Sequence, residues 1–181
     1  QTASTGLKTS AVQTLVIDPT PPAAGGARRS LTLYAGTRQG DIYKSVDGAA
    51  IWTVQESDDA PVTALALSPL RPSIVFAASS EGLYRTTDGG GRWQLLAGGI
   101  WKYKLDGVVI DPKNPAIVYA VGPGGVFKST DGGENWGPAV IGLAGSRPTA
   151  LAIDPGDPAI LYVGTDKGVF RSGNAGVTWE R

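Results

Sequence analysis

Apolar and polar residues alternate along this chain in short runs with a period of two. Near the carboxyl end, residues 149–153 (TALAI), 160–164 (ILYVG), 168–172 (GVFRS) and 177–180 (VTWE) are β-branched or aromatic stretches. Asp-Pro, Gly-Thr-Asp-Lys-Gly and Asn-Ala-Gly turns separate them, so the pattern predicts four strands in this unit. No stretch of about ten residues carries the 3.6-residue helical period without a Gly or Pro inside it. The chain therefore reads as all-β.

The same unit recurs four times. A turn signature closed by Trp appears as SVDGAAIW (45–52), TTDGGGRW (86–93), STDGGENW (129–136) and SGNAGVTW (172–179), with Trp spacings of 41, 43 and 43 residues. A second marker, an apolar run ending in Asp-Pro or Ser-Pro, falls at Asp18, Ser68, Asp111 and Asp154, with spacings of 50, 43 and 43. Its longer first interval holds the tract TPPAAGGARR (20–29), a surface loop by composition. Four-stranded units of this length have the size of propeller blades. We expect one β-propeller domain over 1–181, with blades at about 12–57, 58–98, 99–140 and 141–181 and residues 1–11 completing the outer strand of the last blade.

Composition narrows the chemistry. The 181 residues contain no Cys, Met or His, which removes disulfides, thiolate nucleophiles, imidazole bases and His or Cys metal sites. Sixteen Lys plus Arg balance sixteen Asp plus Glu, so no net field draws the chain to nucleic acid. No apolar run approaches the roughly 20 residues of a transmembrane helix. Neither a metal nor a cofactor is expected. The start at Gln1 reads as processed or trimmed, which with the absence of Cys points toward export, to the periplasm or the extracellular space.

The four signatures closely resemble the Asp-box (BNR-type repeat), Ser-x-Asp-x-Gly-x-Thr-Trp. This motif belongs to sialidase-like and sortilin-like propellers, family 74 xyloglucanases, and the photosystem II assembly and stability factor propellers. The resemblance runs through all four repeats and implies a turn between the third and fourth strands of each blade. Asp47, Asp88 and Asp131 can accept backbone N–H groups there, Gly supplies a positive φ, and Trp52, Trp93, Trp136 and Trp179 start the outer strand and pack between sheets. Ala49 stands where Gly is expected and Asn174 where Asp is expected. These residues are read as structural; a calcium loop would need acidic residues at alternate positions.

The two termini are in register. Residues 6–7 and 18–19 align without a gap on 142–143 and 154–155. Residues 2–7 are thus expected to continue or pair with the outer strand of the last blade, closing a four-bladed ring; a segment of a larger ring is the alternative.

Function is expected on the face that gathers the loops between second and third strands with the connections that follow each Trp. The connection 98–107 places Trp101, Lys102, Tyr103 and Lys104 where the next repeat has Ala144, Gly145, Ser146 and Arg147. Aromatics among cations are interface or sugar anchors, and Arg38 lies on a loop of the same face. Trp101 could equally plug the axis. Glu56, Asp58 and Asp59 are the candidates for a glycosidase carboxylate pair. The Arg-Ile-Pro sequence that accompanies Asp-boxes in sialidases is absent, and Lys44, Arg85, Lys128 and Arg171 recur at one repeat position, marking a structural rim role. The first reading is a non-catalytic scaffold: an exported accessory or stabilising subunit docking on a larger protein complex. The photosystem resemblance implies a membrane-embedded photosynthetic one. A glycoside hydrolase or sialidase-like propeller, or a carbohydrate-binding module, is the alternative.

Overall fold

A computed structural model describes residues 5–8, 11–20, 31–100 and 104–181. Among these residues there are fifteen strands and no helix, so none is long and apolar enough to cross a membrane. The first sheet holds β1 (Val12–Ile17), β2 (Leu33–Thr37), β3 (Asp41–Ser45) and β4 (Thr53–Ser57). The second holds β5 (Val62–Leu67), β6 (Val75–Ser79), β7 (Leu83–Thr86) and β8 (Gln94–Leu95), and the third β9 (Gly107–Ile110), β10 (Val118–Gly122), β11 (Gly125–Ser129) and β12 (Gly137–Pro138). The fourth has β13 (Pro148–Ile153), β14 (Leu161–Thr165) and β15 (Gly168–Ser172). Every sheet is an antiparallel meander in chain order, and four such sheets are the blades of a propeller.

The last sheet departs from the expected four strands. Where 177–180 was expected to form a strand, only Glu180 bridges to Arg171. A turn side chain and the connection that leads into this blade take the N–H groups instead: Thr178 N–H bonds Asn174 Oδ1 at 2.9 Å and Trp179 N–H bonds the Ile141 carbonyl at 2.8 Å.

Blades pack face to face, and the innermost strands touch in the order β1, β5, β9, β13. Between the first two blades lie Tyr34, Ile42, Val62, Val75, Ala77 and Trp93. Phe76, Leu83, Leu96, Val108, Val118 and Ala120 fill the second interface, and Tyr119, Val121, Val126, Leu161, Val163 and Trp179 the third. Each fully buried aliphatic or aromatic side chain contributes about 1.5–3 kcal/mol, so these three layers hold the blades together.

A polar latch accompanies each layer. On neighbouring central strands an aromatic pairs in register with a cation: Tyr34 with Lys44, Phe76 with Arg85, Tyr119 with Lys128. Tyr34 Oη and Lys44 Nζ both donate to the Gly89 carbonyl in the next blade's turn, at 2.8 and 2.7 Å. Tyr119 Oη and Lys128 Nζ repeat this on the Ala175 carbonyl at 2.9 and 2.7 Å. Phe76 has no hydroxyl, so Arg85 alone reaches the Gly132 carbonyl at 2.7 Å and adds an ion pair with Glu134, also at 2.7 Å. The ring lies against a glycine one residue further on: a Cβ built on Gly90, Gly133 or Gly176 would stand 3.4, 3.0 or 3.1 Å from it.

The outer faces of the two end blades are open in part, although Ala35, Tyr43 and Trp52 of the first are buried beside Leu7. Leu15 and Ile17 of β1 are 58% and 46% exposed, and Tyr162 of β14 and Val169 of β15 are 42% and 61% exposed. Among the described residues no strand pairing joins the first blade to the last. Thr5 instead pairs with Ile51 and takes the Trp52 N–H at 2.8 Å, as Ile141 takes that of Trp179. The expected pairing of residues 2–7 with the last outer strand is not seen in the described part of that segment, and residues 2–4 lie outside it.

Candidate functional site

Short turns between second and third strands (38–40, 80–82, 123–124, 166–167) and the connections between blades share one face; the Trp-terminated turns lie on the other. Trp101, Lys102 and Tyr103 lie outside the described residues. Lys104 is described: its ammonium is 3.3 Å from the Asp106 carboxylate and its side chain is 58% exposed. Its carbonyl lies against Gly122, so the connection is pinned where it returns to the third blade. Arg38 is exposed on the first blade's loop, held through its N–H to the Ala11 carbonyl. Nothing described brings Arg38 into contact with Lys104.

The carboxylates of this face are mostly engaged by their own blade or its neighbour. Asp58 accepts a short hydrogen bond from the Tyr84 hydroxyl of the second blade, and burial followed by this bond pushes the Tyr84 phenol up. Asp41 accepts the Ser57 hydroxyl at 2.6 Å, Asp166 accepts the Arg147 N–H at 2.7 Å, and Asp106 is paired with Lys104. Glu56 accepts the Ser57 N–H at 3.4 Å, and Asp59 is exposed. Among the described residues no group of three acidic side chains could hold a metal ion.

Between the third and fourth blades the loop face carries a groove of about 350 Å³ lined by Pro123, Gly125, Val140, Leu143, Gly145 and Pro148. It offers apolar surface and backbone edges and no ionised side chain, which is contact surface for a chain segment and not acid–base machinery. A wider groove of about 550 Å³ lies on the rim beside Trp136, Pro138, Ile141, Val177 and Lys128.

The four Trp-terminated turns are built alike. Asp47 Oδ1 accepts the Ser45 hydroxyl and the N–H groups of Ala50 and Ile51 at 2.7, 3.1 and 3.0 Å. Asp88 takes the Thr86 hydroxyl and Arg92 N–H at 2.8 and 3.0 Å. Asp131 takes the Ser129 hydroxyl, the Asn135 N–H and the Asn135 amide at 2.8, 2.9 and 2.8 Å. Asn174 accepts the Ser172 hydroxyl and the Thr178 N–H through its oxygen and donates to the Thr178 hydroxyl. Backbone N–H donors favour the ionised form, so Asp47 and Asp88 titrate below the usual range and Asp131 at about 2. Carboxyls held ionised in this way are turn caps; an acid catalyst needs the opposite shift. Trp52, Trp93 and Trp179 are buried, with the Trp179 indole N–H on the Ala139 carbonyl at 2.9 Å. Trp136 is half-buried, its indole bonded locally to the Gly133 carbonyl at 2.9 Å, and it lines the rim groove.

Sequence reasoning found the recurring cations but not their targets. The signal that would have found them is the aromatic in the paired column, since a cation and an aromatic recurring together mark one contact and not two. The rim groove at Trp136 was also missed, because its Trp carries the same signature as the buried three.

No family model matches the chain, and no curated protein does. Solved structures match its fold. An ancestral GH74 enzyme superposes with a TM-score of 0.76 at 22% identity, covering 98% of this chain and 24% of its own. The GH74 xyloglucanase from Xanthomonas campestris gives 0.75 at 17% identity, over 94% of this chain and 30% of its own. YCF48 bound to a D1 peptide gives 0.58 at 11% identity, over 98% of this chain and 70% of its own. The chain therefore spans about a quarter to a third of the GH74 enzymes it resembles. At these identities the likeness establishes the architecture alone: the chain has the fold of a β-propeller.

Proposed function

We propose that this chain is a non-catalytic Asp-box propeller that docks a protein partner on its loop face. In this reading it is an exported accessory or stabilising subunit of a larger complex, with an exposed face of a membrane-embedded, photosynthetic assembly as the partner class. The observation that supports the reading is the engagement of Asp41, Asp58, Asp106 and Asp166 within the fold, which leaves apolar contact surface on that face beside the exposed Asp59 and Glu81. The apolar groove at Leu143 and Pro148 supports it, as does the solved likeness of a propeller with a peptide bound. Trp101, Lys102, Tyr103, Lys104 and Arg38 are the anchors we assign to it.

The test is affinity capture with the unmodified chain and with Trp101→Ala/Tyr103→Ala. Loss of a specific protein partner in the double variant supports docking, and unchanged capture refutes the site. A second reading, glycoside hydrolysis, draws on the GH74 likeness, which has the higher TM-scores. Release of sugar from a xyloglucan oligosaccharide panel would favour it over docking, and saturable glycan binding without turnover would favour a carbohydrate-binding module.

A further inference from the structure

Among the described residues, the latch that joins successive blades has one set of donors to spare and one acceptor to spare. Tyr162 and Arg171 are paired in register on β14 and β15, as Tyr34 is with Lys44, Phe76 with Arg85 and Tyr119 with Lys128. The three inner aromatics are 0–1% exposed, whereas Tyr162 is 42% exposed and the Arg171 side chain has no partner among the described residues. Ala150, Ala152 and Val169 share this face and leave it apolar around the pair.

The first blade presents the matching acceptor. Gly48 stands where Gly89, Gly132 and Ala175 stand in the other turns, with a φ of 74° against 74°, 75° and 57°. Its N–H is anchored on the Leu31 carbonyl at 3.0 Å, as those of Gly89, Gly132 and Ala175 are on Ser73, Ala116 and Ala159 at 2.8–2.9 Å. Its carbonyl is therefore aimed as the occupied ones are, and the residue is exposed. Behind it, Leu15, Ile17, Leu33, Ala35, Tyr43 and Trp52 occupy the register positions of Leu65, Leu67, Val75, Ala77, Tyr84 and Trp93, the side chains with which the second blade receives the first.

We propose that the open face of the fourth blade seats on the first blade of a second copy of this chain, so that two four-bladed arcs close head to tail into an eight-bladed ring. Among the described residues the first and last blades are not packed as neighbours; Leu15 and Ile17 on the one face and Tyr162 and Val169 on the other are exposed, while Ala35, Tyr43 and Trp52 are already buried beside Leu7 of their own copy. A twofold axis along the ring would create two identical joints, which is how a heterologous contact closes without leaving a free end. At each joint Tyr162 and Arg171 donate to the Gly48 carbonyl. Ala49 sets the tightness of that joint, because its methyl stands where the other turns have the glycine that touches the aromatic ring.

Sedimentation analysis of the 181-residue chain tests this, since a dimer has twice the 18.6 kDa of one copy. We expect a dimer that Tyr162→Glu and Leu15→Glu each convert to monomer, with circular dichroism unchanged because both side chains face away from their own chain's core. Ala49→Gly should lower the dissociation constant at least tenfold. Mixing the two monomeric variants should restore a dimer, because one donor face and one acceptor face then remain intact at one joint. A monomer up to about 100 μM, a dimer that ignores both substitutions, no restoration on mixing, or growth into open polymers would each overturn the two-copy ring.

Discussion

Removing the latch between the third and fourth blades tests whether these shared carbonyls hold the arc together. Tyr119→Phe deletes one of two donors to the Ala175 carbonyl and leaves Lys128 Nζ on it at 2.7 Å. The acceptor stays satisfied, so the loss is one ordinary hydrogen bond, about 1 kcal/mol. Lys128→Met deletes the other donor and the ammonium 5.3 Å from the Tyr119 ring. Burial holds the Lys128 pKa below its ordinary value, so charging this side chain already carries a cost that Met does not. The net loss is therefore also about 1 kcal/mol. Together the two changes orphan a half-buried carbonyl, which adds about 1 kcal/mol beyond the sum. For a chain of this size each kcal/mol is about 2–4 °C in Tm. Urea unfolding followed by Trp fluorescence of the four proteins in the cycle measures the coupling. Additivity within about 0.5 kcal/mol would mean that water satisfies the carbonyl and would refute the latch.

Other outcomes follow from the turns. Asp47, Asp88 and Asp131 titrate lower in the folded chain than their ordinary 3.8, Asp131 at about 2. Their stabilisation is complete above the unfolded value and lost as pH falls through the folded one; urea midpoints between about pH 5 and pH 2 should drop, and less steeply in Asp131→Asn. Ala175 has a φ of 57°, so Ala175→Gly should gain about 1 kcal/mol in the same assay. Gly142→Ala puts a Cβ 1.9 Å from the Trp179 carbonyl oxygen at a φ of 97°, and should cost more than about 3 kcal/mol, with the near-ultraviolet signal of Trp179 lost first.

Most of the architecture is legible in the sequence because every blade repeats one local rule: alternation sets the strands, and Ser-x-Asp with Gly sets the turn. Asn174 shows how far that rule reaches, since an amide oxygen replaces the carboxylate with the same partners. The missing fourth strand of the last blade was not legible, because Trp179 gives its N–H to Ile141 in the connection that leads into its own blade, a contact between distant residues that no local pattern encodes. The same limit applies to Asp58. Read along the chain it belongs to an acidic run, but in space it lies under Tyr84, twenty-six residues away. Trp136 and Trp179 carry one signature yet differ in burial and in the carbonyl that each indole finds.

The latch also gives the blades a direction. Each reaches forward to the turn of the next through the same two columns, so a blade is defined by what it offers ahead and what it accepts from behind. A unit duplicated in tandem creates one new seam, at which a blade meets a copy of its own turn: the two columns recur there, but Ala49 in a copied first blade, or the missing Glu134 after a copied second, changes the fit. Exchange of order is less free. The second blade offers Phe76 and Arg85 and depends on Glu134 in its successor, where the other turns carry Ala50, Gly91 and Val177. That ion pair favours the third blade as the successor of the second, by at most about 1 kcal/mol because the Glu134 carboxylate is exposed.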